Sequence, residues 1–90
     1  RLQEDHRRAS EIADKLSSLS YIERVEPTET NIVIFYLNTT TSEESFTQYL
    51  QDHNVKISNM GQGKLRIVTH LDYNESLHQS FLKILEGFHP

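Results

Sequence analysis

The sequence predicts an α+β domain: a small, mostly antiparallel sheet with helices packed on one face. Three observations carry that prediction. Apolar residues recur at three- and four-residue spacing near both ends of the chain. Between them lies Ile32-Val33-Ile34-Phe35-Tyr36-Leu37, β-branched, aromatic or aliphatic throughout. Two capping-box patterns follow turn residues, so helices alternate with strands over short connections.

The elements follow in order. Leu2 to Ser20 reads as a helix whose stripe is Leu2, Ala9, Ile12, Ala13, Leu16 and Leu19, with Glu4, Arg7, Glu11 and Asp14 off it. Arg7-Arg8, followed by Glu11 and Asp14, reads as a solvated face of that helix. Tyr21 to Val25 fits a short edge strand that Pro27 stops. Asn31 to Leu37 is the strongest strand, and Asn38-Thr39-Thr40 is a turn. Thr41-Ser42-Glu43-Glu44 has capping-box spacing and opens a helix to about His53, with Phe46, Tyr49 and Leu50 inward. Val55 to Ser58 is a short strand, Gly61-Gln62-Gly63 a hairpin turn and Lys64 to Leu71 the last strand. Asp72-Tyr73-Asn74-Glu75 is a second capping box, before a helix striped by Leu77, Phe81, Ile84, Leu85 and Phe88. There are no internal repeats, low-complexity tracts or linkers.

The strongest strand is apolar on both sides. Ile32, Ile34 and Tyr36 lie on one face, and Val33, Phe35 and Leu37 on the other. An antiparallel sheet with a free second face alternates apolar and polar residues. Either a helix crosses to the second face, or that face docks on something outside this chain.

The chain has 90 residues, enough for one small domain but too few for a large cofactor cleft of its own. Net charge is -4 and the basic residues are dispersed, which argues against nucleic acid or an anionic membrane as partner. No cysteine is present, so disulfides and thiolate chemistry are excluded; a reducing, cytoplasmic setting is the expectation. No apolar run is long enough to span a bilayer. The chain starts with Arg1 in sequence that is already helical, with neither a signal nor a transit peptide, as expected of a domain cut from a longer polypeptide.

Few side chains point to chemistry. The five histidines show no HxH or HxxxH pair, so no zinc site is expected. His6, His53, His78 and His89 read as surface or strand-end residues; His70 shares a strand face with Arg66 and Val68 and is expected to make a structural hydrogen bond. Gly61-Gln62-Gly63-Lys64 leads into a strand, so it is a turn rather than a phosphate loop. The sequons at Asn38 and Asn74 are short patterns that recur by chance, and no serine sits in a nucleophile elbow. Arg66 stands out, a lone cation in a strand of Leu, Ile and Val, costly to bury unless an anion meets it. It has two readings: an internal pair with Asp72 or Glu75, or a bidentate clamp for a carboxylate or phosphate at the sheet edge.

The run from Asn59 to Asp72, centred on Arg66-Ile67-Val68-Thr69-His70-Leu71-Asp72, resembles the C-terminal signature of low-specificity L-threonine aldolases. Arg1-Leu2-Gln3-Glu4-Asp5-His6 and its basic, alanine-containing helix resemble the start of that family's C-terminal region, and Thr30-Asn31-Ile32-Val33 its central Thr-Asn strand. The resemblance covers nearly the whole chain in order. It implies the small C-terminal domain of an enzyme of the aspartate-aminotransferase fold type that uses pyridoxal phosphate to cleave L-threonine or L-allo-threonine to glycine and acetaldehyde. It further implies a homotetrameric parent, an upstream large domain holding the cofactor, its Schiff-base lysine and a stacking histidine, and Arg66 as the residue binding the substrate carboxylate. Lys15, Lys56, Lys64 and Lys83 do not match the cofactor lysine, so no catalytic or cofactor-binding residue is expected in this chain, and the fragment alone is expected to be inactive. Tyr73-Asn74-Glu75-Ser76 departs from a common Val-Ser start, which touches only a helix cap. Two other classes stay open. A stand-alone regulatory or small-molecule-binding module of ferredoxin type predicts a natural start near Arg1 and a polar second sheet face. A structural or dimerisation domain predicts Arg66 satisfied by an internal carboxylate.

Overall fold

A computed structural model describes residues 2–28, 31–69 and 73–90. The first helix, α1 (Leu2–Ser17), buries Ala9, Ile12, Ala13 and Leu16, as the spacing predicts. It ends short of Ser20 because serines compete for its last carbonyls. Ser17 Oγ donates to Ala13 O at 2.9 Å and Ser18 Oγ to Lys15 O at 2.6 Å. The chain then tightens into three-residue turns, with Ser18 N on Lys15 O and Leu19 N on Leu16 O.

The remaining elements are β1 (Ile22–Val25), β2 (Ile32–Leu37), α2 (Glu43–Asp52), β3 (Ser58–Asn59), β4 (Lys64–Val68) and α3 (Glu75–Glu86). The strands form one antiparallel sheet in the order β1-β2-β4-β3. The predicted α+β class therefore holds, with helices against the sheet. Val33, Phe35 and Leu37 of β2 and Leu65 and Ile67 of β4 turn toward the helices and are buried there. Phe46 of α2 sits at the centre of that core, with ring centroids 5.5 Å from Tyr21, 6.1 Å from Phe35 and 5.1 Å from Phe88. Two tyrosines tie the end of α3 to this core: Tyr21 donates to Leu85 O at 2.6 Å and Tyr49 to Ile84 O at 2.7 Å.

Several local expectations are corrected. The cap of α2 is Ser42, which accepts from Ser45 N at 3.1 Å; Thr41 instead closes the preceding turn onto Asn38 Oδ1. The cap of α3 is Asn74, accepting from Leu77 N at 2.9 Å; Asp72, the expected first member of that box, lies outside the described residues. The strand expected at Val55 begins only at Ser58. Asn54 takes a left-handed conformation (φ 62°) and Val55 N still bonds Leu50 O, so residues 55–57 are spent leaving the helix. The hairpin from β3 to β4 does form, through Gly61, Gln62 and Gly63, all at positive φ. Strand β4 ends at Val68; His70 and Leu71 lie outside the described residues. Leu77 is 52% exposed, and the buried positions of the last stripe are His78, Phe81, Leu85 and Phe88.

The two-sided strand resolves in part. Among the described residues no helix covers the second face of the sheet, and Ile32 and Val68 stand 37% and 40% exposed on it.

Candidate functional site

The uncovered sheet face is laid out in rows by the strand register. Arg24 of β1 stands opposite Tyr36 of β2, which stands opposite Lys64 of β4. In the next row Ile34 lies opposite Arg66, and Arg66 opposite Ser58 of β3. Ile32 and Val68 form the third. Side chains two apart along a strand share a face, so Lys64, Arg66 and Val68 project together.

Arg66 is exposed rather than buried, so the desolvation cost that made it conspicuous in the sequence is not incurred. Its guanidinium has no ion pair or side-chain hydrogen bond among the described residues. Of the two internal partners considered for it, Glu75 is engaged elsewhere: by Arg7 at 2.7 Å, by Gln79 at 2.8 Å and by Arg8 Nε at 3.5 Å. Asp72 lies outside the described residues. The Arg24 guanidinium carbon lies 4.0 Å from the Tyr36 ring centroid, and Lys64 Nζ lies 5.8 Å from it. The Tyr36 hydroxyl donates to Glu26 at 2.5 Å. Neither Arg24 nor Lys64 has a carboxylate partner among the described residues. The face thus combines three unneutralised cations, one aromatic ring and a strip of exposed aliphatic surface. Chemically it can accept anions.

A second cluster was not legible as such in the sequence. His78, expected at the surface, is fully buried between α1 and α3. Its Nε2 contacts Glu11 Oε1 at 2.6 Å and its Nδ1 the Tyr73 hydroxyl at 2.7 Å. An ionised carboxylate only accepts, so Nε2 carries the hydrogen and, in the neutral ring, Nδ1 accepts from Tyr73. Around this core Arg7 binds Glu4 and Glu11, each at 2.9 Å, as well as Glu75, and Arg8 donates to Tyr73 O at 2.7 Å. The pair Arg7-Arg8 is therefore not a purely solvated face; it ties α1 to the start of α3. The His78 hydrogen bond, aided by Arg7, holds Glu11 below the usual carboxylate range. Hydrogen bonds from Gln79 and Arg7 hold Glu75 at about 2. Burial pushes the Tyr73 hydroxyl up, so it stays protonated at neutral pH. A protonated tyrosine, an inaccessible imidazole and an ionised glutamate suit a brace between helices rather than a nucleophile. The signal that could have found His78 is its spacing: 78, 81, 85 and 88 recur at three- and four-residue intervals, the period of one helix face.

Near the end of β4 an apolar groove of about 330 Å³ runs between Val55, Ile67, Leu77 and Phe81, with Lys56 among its lining residues. It does not include Arg66. No group of acidic residues and histidines suited to a metal occurs among the described residues, and no described helix is long and apolar enough to cross a membrane. No family model matches the chain, and no curated protein matches it.

Proposed function

We propose that this chain is the small C-terminal domain of a pyridoxal-phosphate-dependent threonine aldolase, acting on L-threonine or L-allo-threonine, and that Arg66 supplies the grip on the substrate carboxylate. The observation that carries this reading is the state of Arg66. It lies within the run that resembles the aldolase signature, and its guanidinium is presented to the outside of the sheet with none of the described carboxylates bound to it. A planar five-donor fork left open in this way suits bidentate capture of a carboxylate.

The described residues do not fit the cofactor itself. Lys15 is bound to Glu86 at 2.8 Å, Lys64 lies beside the Tyr36 ring, and Lys56 and Lys83 are exposed on other parts of the surface. The reading therefore assigns the cofactor and its lysine to an upstream domain of the same polypeptide, within a homotetrameric, cytoplasmic parent. Held there, pyridoxal phosphate would supply the electron sink for chemistry at the substrate Cα. Arg66 contributes orientation. Two parallel hydrogen bonds from its guanidinium to the carboxylate would restrict rotation about the substrate Cα–N bond. The β-strand suits this task, because its backbone is held on both sides by β2 and β3.

The test is a visible absorbance spectrum of the full-length polypeptide before and after addition of L-threonine. A Schiff-base band that changes on addition is the expected result. No band, with or without added pyridoxal phosphate, overturns the aldolase reading and returns a stand-alone ligand-binding module to first place. The polar half of the open face, Arg24, Lys64, Arg66 and Ser58, is the observation that keeps that second reading alive.

A further inference from the structure

Strand β3 stops early, and the stop leaves a gap beside β4. Ser58 lies opposite Arg66 and Asn59 opposite Leu65, so the same register carried further would set Lys56 against Val68. That pair does not form. Val55 N is held on Leu50 O at 2.8 Å and Asn54 turns left-handed, so the chain is still leaving α2 where pairing would need it at β4. Thr69 N donates to Asn31 O on the β2 side at 2.9 Å. Successive amides of a strand point to opposite sides, so the Val68 N–H faces the β3 side. It has no hydrogen-bond partner among the described residues.

This gap opens into the apolar groove described above. Val68 and Lys56 both line it, and Val55, Ile67, Leu77 and Phe81 form its apolar wall. Lys56 is exposed and makes no ion pair among the described residues, and the described lining holds no carboxylate. The other polar groups there are spent: the Tyr73 hydroxyl is on His78 Nδ1 at 2.7 Å, and Thr69 is buried. One open main-chain N–H and one unpaired ammonium thus stand over an apolar cleft. Both groups only donate, so the complementary ligand group is an anionic acceptor.

We propose that this groove binds a small monocarboxylate with an apolar aliphatic or aromatic body. The carboxylate accepts from the Val68 N–H beside the Lys56 ammonium, and the body lies against Leu77 and Phe81. Size favours a small molecule, since about 330 Å³ sits at the low end of the range of about 300–1,000 Å³ for such sites. The open edge offers one amide among the described residues, whereas an added peptide strand needs a row of them. The groove lies on the helix side of the sheet, while Arg66 projects from the other face, so the site stands independently of the aldolase reading.

The experiment follows the fluorine NMR line width of para-fluorophenylacetate, and separately of its neutral amide, as the full-length polypeptide is added. The acid should bind with a Kd of about 1 mM or tighter, and the amide about fivefold more weakly. Lys56→Gln should bring the acid down toward the amide and leave the amide unchanged. Leu77 is 52% exposed, so Leu77→Glu spares the core, yet it sets a like charge in the groove wall and should weaken the acid about tenfold. Arg66→Gln should change neither probe. No binding below about 10 mM overturns the proposal, as does equal affinity for acid and amide, or acid binding indifferent to both Lys56→Gln and Leu77→Glu. Binding lost in Arg66→Gln also overturns it, because the probe then sits on the open sheet face. Every readout is binding, so a positive result in a polypeptide without a Schiff-base band keeps the site while the aldolase reading falls.

Discussion

Replacing His78 by Ala tests the brace between α1 and α3. The imidazole is fully buried and both its nitrogens are bonded, at 2.6 Å to Glu11 and 2.7 Å to Tyr73. A hydrogen bond to a charged group contributes about 1.5–3 kcal/mol and a neutral one about 0.5–1.5 kcal/mol. Glu11 has a side chain 40% exposed, so water and Arg7 can take over part of its lost bond, which favours the lower end of the first range. Tyr73 is half-buried and lacks the same recourse. The expected loss is about 2–3 kcal/mol of unfolding free energy, measured by equilibrium urea denaturation. Two conservative variants divide it. Gln can place an N–H near the position of Nε2 and should retain more of the stability than Asn, whose amide reaches only the Nδ1 position. A double-mutant cycle of His78→Ala with Glu11→Ala should give a coupling of about 1 kcal/mol or more. A loss for His78→Ala below about 1 kcal/mol, or a coupling near zero, would refute the reasoning that this histidine is held by its polar partners rather than merely enclosed.

The other expectations concern the ligand clamp, acid and the hairpin. On the aldolase reading, Arg66→Ala in the full-length polypeptide should cost more than about 2 kcal/mol in kcat/KM, roughly 30-fold, and Arg66→Lys should impair substrate use while cofactor stays bound, because a point charge cannot reproduce the fork. Unchanged kinetics would remove the carboxylate role. Glu75 is held down at about 2 by Gln79 and Arg7, so its contribution is present above its ordinary value of 4.5 and is lost as pH falls through about 2. The melting temperature should therefore drop across that window, less steeply in Glu75→Gln and in high salt; identical acid profiles for the two proteins would count against the network. Gly63 has φ of +80° and room for a Cβ, whose nearest contact would be Leu37 O at 3.6 Å. Gly63→Ala should accordingly lose about 1–2 kcal/mol from backbone strain alone, and Asn at the same position should lose less, as unfolding curves would show.

The sequence by itself determined the class of fold and the order of its elements, because those depend on local periodicity. The apolar stripe of α1, the continuous run of β2 and the glycines of the hairpin all act within a few residues of one another. It also marked Arg66, since a cation among aliphatic strand residues is visible without any neighbour. Boundaries were less legible, because they turn on which of two adjacent polar residues wins a backbone group, as Ser42 over Thr41 and the serines ending α1 show. Only the tertiary structure decided which face of β2 the helices cover, and with it that Arg66 looks outward beside Arg24 and Lys64 instead of into the core. It alone showed His78 to be interior, since the partners that satisfy its ring, Glu11 and Tyr73, come from another helix and from the residue leading into α3. A buried polar group is made tolerable by bonds from distant parts of the chain, and sequence spacing carries no record of those.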